Sequence, residues 1–157
     1  MKIEIVWGKS EGETLISAFD KALIRAGIHN FNLIPLSSVI PPGAMVHEVG
    51  SYKSCQRVGG ILYVVISSFS SNRPTIQISA GLGWVQVEGG GLFFESKGEC
   101  SSKECEEEIR KGLGDMMSAR GWSGEMKMKV VTHKVKEIAN VTVAAAYNLE
   151  RKGIVDI

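Results

Sequence analysis

The chain has 157 residues, 44% hydrophobic and 22% charged, with a formal net charge of +1. This suits a single globular domain over residues 1–157 and gives no electrostatic reason to expect nucleic acid or an anionic membrane as a partner. The longest apolar run, Ile61 to Ile66, is too short to span a bilayer, and Glu4 interrupts any leader-like apolar core, so a cytoplasmic protein is expected.

Lys2 to Trp7 alternates like a strand. Ser10-Glu11-Gly12-Glu13 has the form of a capping box, with Ser10 as N-cap and Glu13 reaching back. The helix it opens runs to about Arg25, with Leu15, Ala18, Phe19, Ala22, Leu23 and Ala26 on its core face and Gly27 as its stop. Residues 30–37 form a second strand, and 43–58 look irregular. Gly60 to Ser68 and Thr75 to Val87 are β-branched strands bounded by turn residues. Gly89-Gly90-Gly91 is a turn before a short strand from Leu92 to Glu95. Ser102 to Ala119 is a second helix, with Cys105, Ile109, Leu113 and Met116 on one face. Glu125 to Lys136 and Ile138 to Tyr147 are expected to pair as a terminal hairpin. Two helices among runs of strands predict an α+β fold, a layered α/β/β/α sandwich with helices on the outer faces of the sheets.

The most distinctive stretch is Phe31-Asn32-Leu33-Ile34-Pro35-Leu36-Ser37-Ser38-Val39-Ile40-Pro41-Pro42-Gly43. A strand runs into the serine pair and a stiff, proline-rich segment leaves it. Pattern alone leaves two readings open: a peptide bond held under strain beside a hydroxyl, or a plain Ser-rich turn at a strand end.

Familiar cofactor and metal motifs are missing. Gly81-Leu82-Gly83 lacks a third glycine, and no Gly-Lys-Ser/Thr follows. His29, His47 and His133 have no partners at metal-ligand spacing. Cys55, Cys100 and Cys105 make an odd count without a zinc or disulfide pattern, and Cys105 fits the buried stripe of a helix. No metal is expected.

Several segments carry a family resemblance. They are Ser10-Glu11-Gly12-Glu13-Thr14, Ala18-Phe19-Asp20-x-Ala22-Leu23, Ala26-Gly27-Ile28 and Asn32-Leu33-Ile34-x-x-Ser37-Ser38-x-x-Pro41-Pro42. Gly91-Leu92-x-x-Glu95, Gly98, Cys100, Ser101-x-Lys103-Glu104, Arg120-Gly121-Trp122 and Val143 to Tyr147 extend them. Together they resemble the pyruvoyl-dependent arginine decarboxylases over nearly the whole chain, starting later than some members as if an N-terminal extension were missing. The Ser-Ser-x-x-Pro-Pro segment after Asn-Leu-Ile is the specific part.

The resemblance implies that the chain cuts itself between Ser37 and Ser38 into residues 1–37 and 38–157. Ser38 would become a covalent pyruvoyl group, the only cofactor. That group would form a Schiff base with L-arginine and release CO2 and agmatine, as in polyamine synthesis. It also implies roles for three further residues. Glu95 matches the family's active-site glutamate, the candidate proton donor. Burial among Leu92, Phe93 and Phe94 would raise its pKa, whereas the residues alone favour an exposed strand-end carboxylate. Asn32 matches an asparagine that assists self-cleavage. Six residues of extended chain span roughly 20 Å, so it cannot touch its own Ser38 without a sharp bend, but it could reach that of a neighbouring subunit. Asp20 matches the residue that receives the substrate guanidinium. It lies between Ile16 and Ile24 on its helix, which predicts a partly buried carboxylate needing a cationic partner: either the guanidinium or a residue such as Arg25.

The family assembles as trimers, sometimes paired into hexamers, with active sites between subunits. His29, Phe31 and the bulky Phe93-Phe94 depart from the small or aliphatic residues more usual there. Two alternatives stand beside arginine decarboxylation: a decarboxylase of the same fold acting on another amino acid such as histidine, and an unprocessed, non-catalytic trimeric binding protein.

Overall fold

The computed structural model describes residues 1–53 and 58–149. Cys55 and the residues after 149 lie outside the described residues. The fold is α+β, with eleven elements in chain order: β1 (Lys2–Glu11), α1 (Leu15–Ala26), β2 (Asn32–Pro35), β3 (Val39–Ile40), β4 (Met45–Gly50), β5 (Ile61–Ser71), β6 (Gln77–Val87), β7 (Gly90–Gly98), α2 (Ser102–Arg120), β8 (Lys127–Lys134) and β9 (Ala139–Asn148). They form a five-stranded sheet in the order β2-β5-β9-β1-β4 and a four-stranded sheet in the order β3-β7-β6-β8. Among the described residues, no helix is long and apolar enough to cross a membrane.

The main core draws Ile3, Ile5, Val65, Val141, Val143, Ala145 and Tyr147 from the first sheet and Ile78, Leu82, Trp84 and Phe93 from the second. The intervening positions of β9, Ala144 and Ala146, pack instead with Leu23 and Ala26 of α1. This is the period-two alternation of a strand buried on both faces. Alanine suits the helix side because α1 comes very close: a methyl on Gly8 would stand 2.1 Å from the Ala22 carbonyl oxygen. α2 lays Leu113 and Met117 against Val85 and Leu92.

Several expectations change. Ser10 does not cap α1. β1 stays paired with β9 as far as Ser10↔Asn140 and Glu11↔Ala139, so ladder bonds hold this segment extended. Thr14 is the N-cap: its hydroxyl accepts from the Ser17 N–H at 3.0 Å, and the Ser17 hydroxyl accepts from the Thr14 N–H at 2.9 Å. Glu11 instead holds the β8–β9 connection, accepting from the N–H groups of Lys136 and Glu137 at 2.8 and 2.9 Å. Gly27 ends α1 as expected, in the left-handed region at φ 75°. Leu15 is exposed, and Met117 rather than Met116 is the buried methionine of α2.

Residues 45–50, expected to be irregular, form β4, parallel to β1. The expected terminal hairpin does not form. β8 pairs with β6, while β9 sits between β5 and β1 in the other sheet. The physical reason is in the composition: β9 is apolar on both faces and takes a central place, whereas β8 carries Lys127, Lys129 and Lys134 and takes an edge.

Candidate active site

The serine pair occupies the crossover between the two sheets. β2 belongs to the first sheet and runs parallel to β5, and the pairing continues as the Leu36 N–H donates to the Val64 carbonyl at 2.8 Å. β3 belongs to the second sheet and pairs with β7 at Val39↔Leu92 and Ile40↔Gly91. The Ser38 carbonyl is already in that sheet, accepting from the Phe93 N–H at 2.8 Å. The Ser37–Ser38 peptide bond therefore joins chain anchored to one sheet to chain anchored to the other. The Ser37 carbonyl accepts from the Val39 N–H at 2.9 Å. This three-residue turn has a negative φ at Ser38, which makes it an inverse γ-turn.

A cleft of about 400 Å³ opens beside the pair, lined among others by Leu36, Ser37, Val39, Pro41, Tyr63 and Tyr147. Tyr147 is buried, and its hydroxyl donates to the Val39 carbonyl at 2.8 Å. Burial pushes the phenol up to about 12, so it keeps its proton.

Glu95 lies close to this crossover. It is two residues along β7 from Phe93, about 7 Å of extended strand, and shares its face. Phe93 points into the core between the sheets, whereas Leu92 and Phe94 pack toward α2. The segment of Ser38 and β3 reaches along β7 only as far as Phe93, and Glu95, beyond it, is exposed at the mouth of the gap. Partial burial nevertheless raises its pKa above the usual glutamate value, and the Lys97 charge offsets part of that rise.

Asn32 and Asp20 are placed apart from the serines. Asn32 begins β2, and its side chain donates to the Gly59 carbonyl at 3.1 Å. Asp20 is not partly buried as expected. It is exposed on α1, because its neighbours Ile16 and Ile24 are themselves 79% and 48% exposed. Among the described residues it has no ion pair, and Arg25 does not serve as its partner. His29 is half-buried with its Nδ1 unpartnered. Burial raises the thiol pKa of Cys100 and lifts that of Cys105 to about 11, which disfavours their thiolate forms.

The Val39 N–H, Tyr147 and Lys97 are the site groups that the sequence reading did not single out. A backbone donor carries no residue-type signal. Tyr147 did carry one: a phenol ending an otherwise apolar strand needs a partner for its hydroxyl.

The family model for pyruvoyl-dependent arginine decarboxylase matches residues 2–152. A protein of that name from Halobacterium salinarum is 35% identical over 150 residues, covering 93% of each chain. Others of that name come from Thermococcus kodakarensis, 37% identical over 147 residues (88% of this chain and 89% of the relative), and Pyrococcus horikoshii, 38% identical over 139 residues (87% of each). A serine pair bridging two sheets, with a glutamate of raised pKa beside it, agrees with a match of this extent: the chain belongs to the pyruvoyl-dependent arginine decarboxylase family.

Proposed function

We propose that this chain cleaves itself between Ser37 and Ser38 and then decarboxylates L-arginine to agmatine. The observation that carries the reading is the Ser37–Ser38 bond at the crossover, with its carbonyl held in a γ-turn and Glu95 alongside. In the first step the Ser38 hydroxyl oxygen bonds to the Ser37 carbonyl carbon. The C–N bond breaks, and the hydroxyl proton passes to the departing nitrogen, leaving an ester. Loss of the Ser38 Cα proton then expels the Ser37 carboxylate and leaves dehydroalanine. Water replaces its nitrogen, which departs as ammonia, and residue 38 becomes a pyruvoyl group. The products are residues 1–37 and 38–157 as two subunits of one domain. The cleft has room for the pyruvoyl group, since Ser37 and Val39, the residues on either side of Ser38, both line it together with apolar side chains.

The pyruvoyl ketone supplies an electron sink for the bond to the leaving carboxylate. The protein's task is then to bind arginine and return a proton to its Cα. Glu95 suits proton delivery because its raised pKa keeps more of it protonated near neutrality. Asp20 suits the guanidinium because it is an exposed carboxylate with no ion-pair partner among the described residues, set among exposed apolar side chains. Asp20 faces solvent from the outer side of α1, and Asn32 lies a strand's length from its own Ser38. Both placements favour active sites shared between subunits of a trimer, paired or not into hexamers. The packing of α1 on one sheet and α2 on the other supports a four-layer α/β/β/α sandwich as the protomer. Free thiols at Cys100 and Cys105 favour a cytoplasmic setting.

The test is release of CO2 and agmatine from L-arginine by the wild type and the Ser38→Ala variant. We expect turnover by the wild type only, with histidine consumed far more slowly. Equal turnover by Ser38→Ala would remove the pyruvoyl reading, and a preference for histidine would remove arginine as the substrate.

A further inference from the structure

Both ends of residue 39 are fixed. Val39 and Leu92 face each other as a non-hydrogen-bonded pair, because the ladder bond on that side runs from the Phe93 N–H to the Ser38 carbonyl. The Val39 N–H is thereby turned away from β7, and it donates at 2.9 Å to the Ser37 carbonyl. The Val39 carbonyl is held in turn by the Tyr147 hydroxyl at 2.8 Å. Tyr147 is itself locked in the central strand, paired with Ile3 on one side and Tyr63 on the other, and is 4% exposed. The rigid middle of the first sheet thus sets the position of a single peptide N–H at the crossover.

We propose that Tyr147 is a positioning residue for self-cleavage, holding Val39 so that its N–H receives the negative charge that develops on the Ser37 oxygen. The inference rests on the self-cleavage proposed above. As the Ser38 oxygen bonds to the Ser37 carbon, the carbonyl electron pair moves onto the Ser37 oxygen. It returns when the C–N bond breaks and the nitrogen takes the proton. A donor already in place lowers the barrier of this step without having to reorganise. Loss of the phenol leaves the turn free to widen and the Val39 carbonyl without its partner. This slows the acyl shift but spares the residues that carry it out.

The test follows freshly made chain by time-resolved gel, with neutral hydroxylamine added to trap the ester. Tyr147→Phe is expected to cleave completely but roughly 10-fold more slowly, as one lost hydrogen bond implies, with less trapped ester at each early time. Val39→Pro, which removes the N–H but also stiffens the chain at Ser38, is expected to cleave more slowly still, and Tyr147→Phe is the variant that leaves Ser38 and Val39 themselves unaltered. A role in folding alone would leave the rate of Tyr147→Phe unchanged and reduce the fraction that cleaves, and that result would overturn the proposal. So would wild-type rates in both variants. A wild type that never cleaves would instead remove the self-cleavage reading itself, and this inference with it.

Discussion

A carboxylic acid delivers a proton only while it holds one. Glu95 holds its proton to higher pH than a free glutamate because packing strips water from it, and Lys97 works against that by favouring the charged form. Decarboxylation should therefore decline as pH rises through the raised pKa of Glu95. Lys97→Met should move this decline to higher pH, and a pH profile of kcat checks it. Glu95→Gln keeps the size and loses the proton. It should still self-cleave while kcat falls about 10²–10⁴-fold, the usual contribution of general acid catalysis. The expected burial of Glu95 among Leu92, Phe93 and Phe94 does not occur, since Leu92 and Phe94 pack toward α2 on the other face of β7, and its raised pKa comes from partial burial at the mouth of the gap. Its exposure was not legible in the sequence, because that depends on where β3 stops covering β7. For Asp20 the sequence misled: apolar neighbours four residues either side normally signal burial, yet here they face solvent too. Asp20→Asn should weaken arginine use about 10- to 100-fold, seen in kcat/KM, while cleavage proceeds normally.

Gly91 lets β7 lie close to the backbone of β6 and, on its other side, to Ile40 of β3, which carries the crossover. A methyl on Gly91 would stand 2.4 Å from the Val85 carbonyl oxygen and 3.1 Å from Ile40 Cβ. Overpacking of this kind costs about 1–3 kcal/mol. Gly91→Ala should therefore lower the melting midpoint by roughly 2–12 °C in a chain of this length and slow self-cleavage, both measurable on one preparation. Helices and long strands were legible because periodicity reports a buried face directly. Pairing partners were not. β8 and β9 are adjacent in sequence and look like a hairpin, but the burial of both faces of β9 draws it into the centre of the other sheet. The Thr14 cap was hidden for a related reason, since nothing local shows that β1 continues past Ser10.

Across the whole molecule, α1 presents Leu15, Ile16 and Ile24 to solvent around Asp20, and a lone soluble domain gains nothing from such a strip. If the strip is buried in the trimer proposed above, with Asp20 brought to a neighbour's Ser38, arginine turnover depends on assembly. Ile16→Glu should then lower the mass seen by sedimentation and abolish turnover together. On an isolated protomer the same surface change would cost within about 0.5 kcal/mol. Family membership was legible from the serine pair and its flanking motifs. The bridge the pair forms between two sheets was not, since it emerges only once every strand has found its partner. The most direct test of self-cleavage is the intact mass of the purified protein. The account predicts two chains of about 4 and 13 kDa, in proportion to length from 17.0 kDa. Their summed mass should reflect gain of water and loss of ammonia, with a ketone at the start of the larger chain. A homogeneous full-length chain after prolonged incubation would contradict it.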